Sequence, residues 1–124
     1  AELQVRAVSA ANRDKDRGIA LDGVRWVDDP VDLAQSAEID IFVELIGGAD
    51  GPALDAVTAA IENGKHVVTA NKALLATHGV ELARKAEQAG TAICYEAAVA
   101  GGIPIIRGLR EGASACRIER IAGF

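Results

Sequence analysis

Short apolar runs alternate along this chain with segments of helical periodicity, and this alternation constrains the fold more than any other feature. The runs short enough for buried strands are residues 4–11, 41–46, 65–70, 91–99 and 117–124. Helices are predicted from Pro30, from Pro52 to a stop at Gly64, over residues 77–88, and from Pro104 to a stop at Gly112. Proline suits a first helical turn and glycine suits a C-terminal cap. Strands that alternate with helices form a parallel sheet, so we predict an α/β fold.

Composition excludes several classes of protein. A chain of 124 residues with 25% charged residues fits one globular domain, and its net charge of −5 argues against a general nucleic-acid binder. The apolar runs are far too short to cross a bilayer, and no basic stretch precedes an apolar run at the N-terminus as in a secretory signal. Cys94 and Cys116 have no CxxC or histidine neighbour at metal-binding spacing. We therefore expect reduced, buried thiols in a cytoplasmic protein.

The two ends and one absent motif indicate a segment of a longer protein. The sequence contains no methionine, Ala1 lies a few residues before a strand-like run, and Phe124 falls inside or just after another. It also contains no GxGxxG, the loop that holds a pyrophosphate at a helix N-terminus. We expect that loop upstream of the first strand. A missing central strand would leave a gap or two open edges, which predicts a dimer, a swapped strand or direct closing of the gap.

Ligands of open α/β sheets bind beyond the carboxyl ends of the strands. In this chain those ends are followed by residues 12–17, 47–51, 69–72 and 99–104. Gly47 and Gly48 let the backbone approach a flat or anionic ligand closely. Asn71 and Lys72 place an amide and a cation directly after a strand. Spacing alone therefore predicts an α/β domain with a ligand-binding edge.

Four contiguous motifs carry a resemblance to a known family. They are VELIGG at 43–48, IENGKHVVTANKALLATHG at 61–79, YEAAVAGGIPIIRGLREG at 95–112, and RIERIAGF at 117–124. Together they closely resemble homoserine dehydrogenases, over about residues 5–124. The resemblance implies a Rossmann-like, doubly wound, mostly parallel sheet that lacks its first β-α unit. Residues 1–124 would then be one partial NAD(P)-binding domain, inactive on its own.

The resemblance also implies an activity. Enzymes of this family are cytoplasmic, interconvert homoserine and aspartate 4-semialdehyde with NAD(P)(H), and usually form homodimers or larger assemblies. They belong to the aspartate pathway to threonine, methionine and isoleucine. Lys72 in TANK matches the family's lysine near the nicotinamide and the reacting carbon. Positions that hold a monovalent cation, commonly sodium, match Glu96, Val99, Gly101 and Ile103, and hard oxygen ligands suit such an ion.

The expected cofactor-binding residues are Arg13, Gly47, Gly48, Asn71 and Lys72. Relatives often carry an arginine directly after the second strand, where it can meet the adenosine 2′-phosphate. Here Ala11 occupies that place, so a preference for NADP over NAD depends on Arg13 and Lys15.

Alternative interpretations stay open at this point. The segment GKHV before a lysine also resembles the glucose–fructose oxidoreductase family, although TANK lacks that family's EKP proline and AAVAGGIP has no counterpart there. A non-catalytic nucleotide-binding or regulatory module is a second alternative, and fusion to an aspartate kinase is a third. Lys72 could instead cap its helix or pair with Glu96, and Glu96 could serve an internal ion pair.

Four further side chains have expectations without an assigned role in the chemistry. Glu44 interrupts an apolar run, so we expect it near the ligand edge or hydrogen-bonded to backbone. Trp26 is expected to pack on the loop after the first strand. His66 and His78 are expected to be structural.

Overall fold

A computed structural model describes residues 2–122 as short parallel strands and helices in alternation. The strands are β1 (Ala7–Val8), β2 (Arg25–Trp26), β3 (Ile41–Glu44), β4 (His66–Thr69) and β5 (Ile93–Cys94). The main helices are α1 (Pro30–Gln35), α2 (Pro52–Glu62) and α3 (Lys72–Ala89). Two 3₁₀ turns, Glu96–Ala98 and Ala100–Gly102, lead to the short helix α4 (Ile105–Arg107), which continues as a π turn over Gly108–Gly112.

The strands form two separate parallel sheets. One contains β1 and β2, and the other has the order β3-β4-β5. Among the described residues β1 does not pair with β3, so the hydrogen-bonded sheet is interrupted where the sequence predicts a missing strand. The expected gap is therefore confirmed, and direct closing of the gap does not occur between these strands.

The core lies on one face of the larger sheet, beneath α2 and α3. Along β3 and β4 buried and exposed residues alternate strictly, as expected of a strand with one covered face. Phe42 and Val67 point into a core shared with α1, α2 and α3. Its helical members are Leu33, Ala34, Ala56, Val57, Ala59, Ala60, Ile61, Leu74, Leu82 and Ala86.

The opposite face of this sheet is exposed although it is apolar. Ile41, Val43 and Val68 are between 37% and 57% exposed, and Cys94 is also exposed. Val43 lies beside Val68 in the register, and Val68 lies beside Cys94. We call these four residues the open face. Both faces of a parallel sheet are normally covered, which makes this surface unusual.

Several predicted boundaries are wrong. The helix predicted over 77–88 begins at Lys72, because Asn71 caps its N-terminus. The strand predicted over 91–99 ends at Cys94, because the chain turns at Glu96. The strand predicted over 117–124 is not formed in 117–122; Ile118 and Ile121 stay exposed there, so the run buries little apolar surface. Residues 123 and 124 lie outside the described part.

The two cysteines lie at the surface. Cys94 and Cys116 are both exposed, so the expectation of buried thiols is wrong. Cys94 is on the uncovered side of an edge strand, and Cys116 follows the last helical turn.

Within residues 2–122, every helix is too short or too polar to pass through a membrane.

Candidate functional site

The carboxyl ends of β3 and β4 bring three predicted segments to one edge. Glu44 ends β3 and is paired in register with Thr69, which ends β4. The loop containing Gly47 and Gly48 leaves from the first strand, and α3 starts three residues after the second. The prediction that these segments share a ligand edge follows directly from this parallel register.

A buried carboxylate organises this edge. Glu44 is fully buried, and its Oε1 accepts hydrogen bonds from the backbone N–H groups of Ile46 at 2.6 Å and Gly47 at 3.0 Å. Its Oε2 accepts a hydrogen bond from the Thr69 hydroxyl. The Asn71 amide lies 3.4 Å from Oε1. The expectation that Glu44 hydrogen-bonds to backbone is confirmed, and the carboxylate has the partners that burial demands.

Asn71 joins the same edge to the start of α3. Its side-chain oxygen accepts a hydrogen bond from the Leu74 N–H at 3.1 Å, which makes Asn71 the N-cap. Its amide donates to the carbonyl oxygen of Gly48 at 2.7 Å. Since both ends of this side chain already have partners in the protein, Asn71 serves this site by holding the backbone around it.

The backbone conformation at Gly47 and Gly48 requires glycine. Their φ angles are +86° and +83°, a region that L side chains rarely adopt. A Cβ at Gly47 would meet no heavy atom within 4 Å, so the space beside it is open. The turn therefore presents exposed backbone at the edge where a flat ligand would lie.

Lys72 is the first residue of α3 and its side chain is exposed. Within residues 2–122 it makes no ion pair, and the alternative of pairing with Glu96 is not realised. The capping alternative is also not realised, because Asn71 is the cap. A cation without an internal partner therefore stands next to the glycine turn.

Glu96 begins the segment expected to bind a cation, and it caps α4. Its two oxygens accept hydrogen bonds from the N–H groups of Ile106 at 3.0 Å and Arg107 at 3.2 Å. The backbone between Val99 and Ile103 turns sharply through three consecutive positive φ angles, at Ala100, Gly101 and Gly102. Backbone carbonyls and a carboxylate with spare acceptor capacity are the donors that a hard monovalent cation takes. The donor set thus fits such an ion.

Arg13 lies after β1, with its guanidinium 5.5 Å from the centre of the Trp26 ring. Arg17 lies over the same ring at 5.4 Å and donates to the carbonyls of Asn12 and Lys15 at 2.6 and 2.8 Å. The expectation that Trp26 packs on this loop is confirmed. The Arg13 guanidinium donates to no group within residues 2–122, so it is held by a cation–π contact and keeps its donors available.

The sequence prediction and the structure agree unevenly on this site. Gly47, Gly48, Asn71 and Lys72 come together, whereas Arg13 lies in the loop that follows β1 of the smaller sheet. Sequence reasoning missed Thr69, whose hydroxyl directly after the apolar pair Val67 and Val68 was the available signal. The two histidines have structural contacts: His66 accepts from the Ala92 N–H at 3.1 Å, and His78 lies 2.8 Å from Asp50.

Parallel strands, a glycine turn at their carboxyl edge and an adjoining capped helix define the class of dinucleotide-binding α/β domains. Comparison with known proteins then gives the family. The family model described as the NAD-binding domain of homoserine dehydrogenase matches residues 1–96. The chain belongs to this family, and the glucose–fructose oxidoreductase alternative falls away.

Individual relatives agree with the family. The homoserine dehydrogenase of Neisseria gonorrhoeae is 48% identical over 123 residues, which are 99% of this chain and 28% of that protein. The one from Pseudomonas aeruginosa is 58% identical over 96 residues, 77% of this chain and 22% of that protein. The structure of the Thiobacillus denitrificans enzyme superposes with a TM-score of 0.78 at 50% identity, covering 88% of this chain and 25% of that one.

These matches confirm the predicted fold, a Rossmann-like α/β arrangement of parallel strands that is incomplete. They also give the chain's extent relative to its family. The chain spans about a quarter of the length of the relatives that it matches.

Proposed function

We propose that this chain is part of an oxidoreductase that interconverts L-homoserine and L-aspartate 4-semialdehyde with NAD(P)(H). Residues 1–124 would supply one partial nucleotide-binding domain, and the substrate site would be formed by the part of the family's length that these residues do not cover. The single observation that carries the proposal is the edge formed by the Gly47–Gly48 turn and Lys72, in a chain of this family.

At this edge the cofactor and the protein would have different roles in the reaction. The nicotinamide cofactor supplies the hydride chemistry when it is bound. The glycine turn gives it backbone to lie against, and Lys72 places a positive charge at the same edge. A cation close to the substrate oxygen stabilises the negative charge that develops there when an aldehyde is reduced. Lys72 is therefore the residue of this chain that we assign to catalysis.

The loop after β1 supports a preference for NADP. A guanidinium recognises a phosphate through paired hydrogen bonds, and the Arg13 guanidinium is held on Trp26 with its donors available. Lys15, two residues on, adds a second positive charge. The adenosine 2′-phosphate would bind Arg13 in this arrangement.

A monovalent cation, commonly sodium, would bind at Glu96, Val99, Gly101 and Ile103. The donor chemistry of this turn supports the assignment, since it offers backbone carbonyls and one carboxylate. The ion would hold the loop after β5 in one shape. The complete enzyme is proposed to be cytoplasmic and homodimeric, with no nucleic-acid partner.

Two experiments test the proposal. The first is to sequence the parent gene on both sides of this segment. A GxGxxG loop upstream of Ala1 and an NGT-type continuation beyond Phe124 would support a dehydrogenase; an initiator codon at Ala1 and a stop codon after Phe124 would favour the non-catalytic module.

The second experiment is an assay of a homoserine dehydrogenase of full family length that carries this segment. Oxidation of NADPH that depends on aspartate 4-semialdehyde is expected, and none is expected from the 124-residue chain alone.

A further inference from the structure

Glu44 is the one fully buried acidic residue at the carboxyl edge of the described sheet, and the proposed chemistry gives it no part. Within residues 2–122 no lysine, arginine or histidine forms an ion pair with it. Its partners are two backbone N–H groups of the turn, the Thr69 hydroxyl and the Asn71 amide. A carboxylate buried without a countercharge costs free energy that an apolar side chain would not. Its presence here therefore indicates a task other than stabilising the strand.

The hydrogen bonds form one connected path from the glycine turn to the next strand and helix. The N–H of Asn71 donates to the Thr69 hydroxyl at 3.0 Å, and that hydroxyl donates to Glu44. Glu44 in turn holds the N–H groups of Ile46 and Gly47. The Asn71 amide also donates to the Gly48 carbonyl, so the connected hydrogen bonds return to the glycine turn. The turn is thus fixed at its first residues by Glu44 and at Gly48 by Asn71.

We propose that Glu44, acting with Thr69, is a positioning residue that holds the Gly47–Gly48 turn in the shape that accepts the dinucleotide. This inference rests on the proposed function, since it concerns the affinity of the same cofactor edge. Glu44 itself is fully buried, so its effect passes through the backbone N–H groups that it orients. Because glycine residues restrain their own backbone weakly, the turn depends on these external hydrogen bonds for its shape.

The experiment uses a homoserine dehydrogenase of full family length that carries this segment, with NADPH as the probe. NADPH binding to the unsubstituted enzyme is measured first by calorimetry, together with KM for NADPH and kcat. If that enzyme binds neither NADPH nor NADH, the proposed function fails; the positioning role fails if the cofactor binds and the variants leave its affinity unchanged. Glu44→Gln is expected to raise Kd and KM for NADPH about tenfold, the effect of weakening one hydrogen bond to a charged group. The value of kcat at saturating NADPH should change less than about twofold, because the chemistry is untouched.

Thr69 provides a pair of variants that separates hydrogen bonding from packing. Thr69→Val keeps the shape and removes the hydroxyl, so it should raise Kd as Glu44→Gln does. Thr69→Ser keeps the hydroxyl and removes a methyl group, so it should retain tight NADPH binding despite some loss of stability. Thr58→Val in α2 is the control for loss of a hydroxyl elsewhere and should leave Kd unchanged.

Each outcome decides the matter. A raised Kd for Glu44→Gln and Thr69→Val, with Thr69→Ser close to the original, supports the positioning role. Equal effects of Val and Ser at position 69 would overturn it in favour of packing. An unchanged Kd in the Glu44 and Thr69→Val variants, with kcat lowered through loss of folded enzyme, would overturn it in favour of a purely structural carboxylate. If Glu44→Gln does not fold, the Thr69 pair gives the answer alone.

Discussion

The side-chain amide of Asn71 donates a 2.7 Å hydrogen bond to the carbonyl oxygen of Gly48, across 23 residues of sequence. The same side chain caps α3 through its oxygen, so one residue ties the turn after β3 to the helix that starts with Lys72. Parallel register makes this possible, because it places the ends of the two strands side by side. The turn after β3 and the start of α3 are therefore joined through one side chain rather than being independent features.

Substitution of Asn71 should separate its two tasks. Asn71→Ala removes both the cap and the hydrogen bond to Gly48 and is expected to lower the free energy of unfolding by about 2 kcal/mol. Asn71→Ser keeps a capping oxygen and loses only the amide, so its cost should be about half as large. Urea unfolding of the 124-residue chain, followed by circular dichroism at one fixed low protein concentration, compares both variants with the original chain. Equal losses for Ala and Ser would contradict the assignment of a separate stabilising bond to Gly48.

Lys72→Ala in the complete enzyme should lower turnover at least about tenfold, since a cation near the developing negative charge is lost. The helix should remain intact, because Asn71 and not Lys72 caps it. Lys85→Ala is the matched control: Lys85 lies on the same helix and pairs with Glu62 of α2 at 3.6 Å and with Glu81 of α3 at 3.9 Å. Steady-state assays at saturating cofactor compare the two variants. An unchanged kcat for Lys72→Ala would remove this residue from the mechanism.

Sequence alone predicts the parts of this fold that depend on local signals. The helix α2 begins at Pro52 and is followed by a glycine at position 64 with positive φ, and β3 and β4 lie inside the predicted runs. Proline, glycine and short β-branched runs determine these elements within a few residues of sequence. The candidate site follows as well, because strand ends and parallel order place the glycine turn beside Lys72.

Elements that depend on distant partners could not be predicted in this way. The strand β2 is Arg25–Trp26, with no apolar run to mark it; it exists because Arg25 and Val27 donate to carbonyls of Arg6 and Val8. The sequence predicts Glu96 within a strand, but its carboxylate caps a helix ten residues further on. Likewise the acidity of Glu44 is visible in the sequence, whereas its hydrogen bond to Thr69 requires the register of two strands.

The contact between Arg13 and the Trp26 ring should determine the preference for NADP⁺ over NAD⁺. In the complete enzyme, Arg13→Ala is expected to raise Kd for NADP⁺ at least about tenfold, because a charge-assisted phosphate contact is lost. Trp26→Leu should raise it about threefold through loss of the cation–π support. Neither change should affect NAD⁺, which lacks the 2′-phosphate. Arg6→Ala removes the same charge from the residue that directly precedes β1 and is the control. Calorimetric titration with both cofactors measures the effect, and a parallel loss of NAD⁺ affinity in Arg13→Ala would count against phosphate recognition.

The open face and the unpaired edge of β3 should make the isolated 124-residue chain associate with a second copy. Val43 is 57% exposed on that edge strand, and an apolar strand with free backbone groups invites pairing with another chain. Light scattering is expected to show a dimer or larger species whose share grows with concentration. Val43→Lys should shift the chain toward monomer, because a charge on an edge strand opposes pairing. Val80→Lys is the control: Val80 is 79% exposed on α3, away from the sheet, and its substitution should leave the association as it was. A monodisperse monomer before any substitution would show that the open sheet does not recruit a second chain.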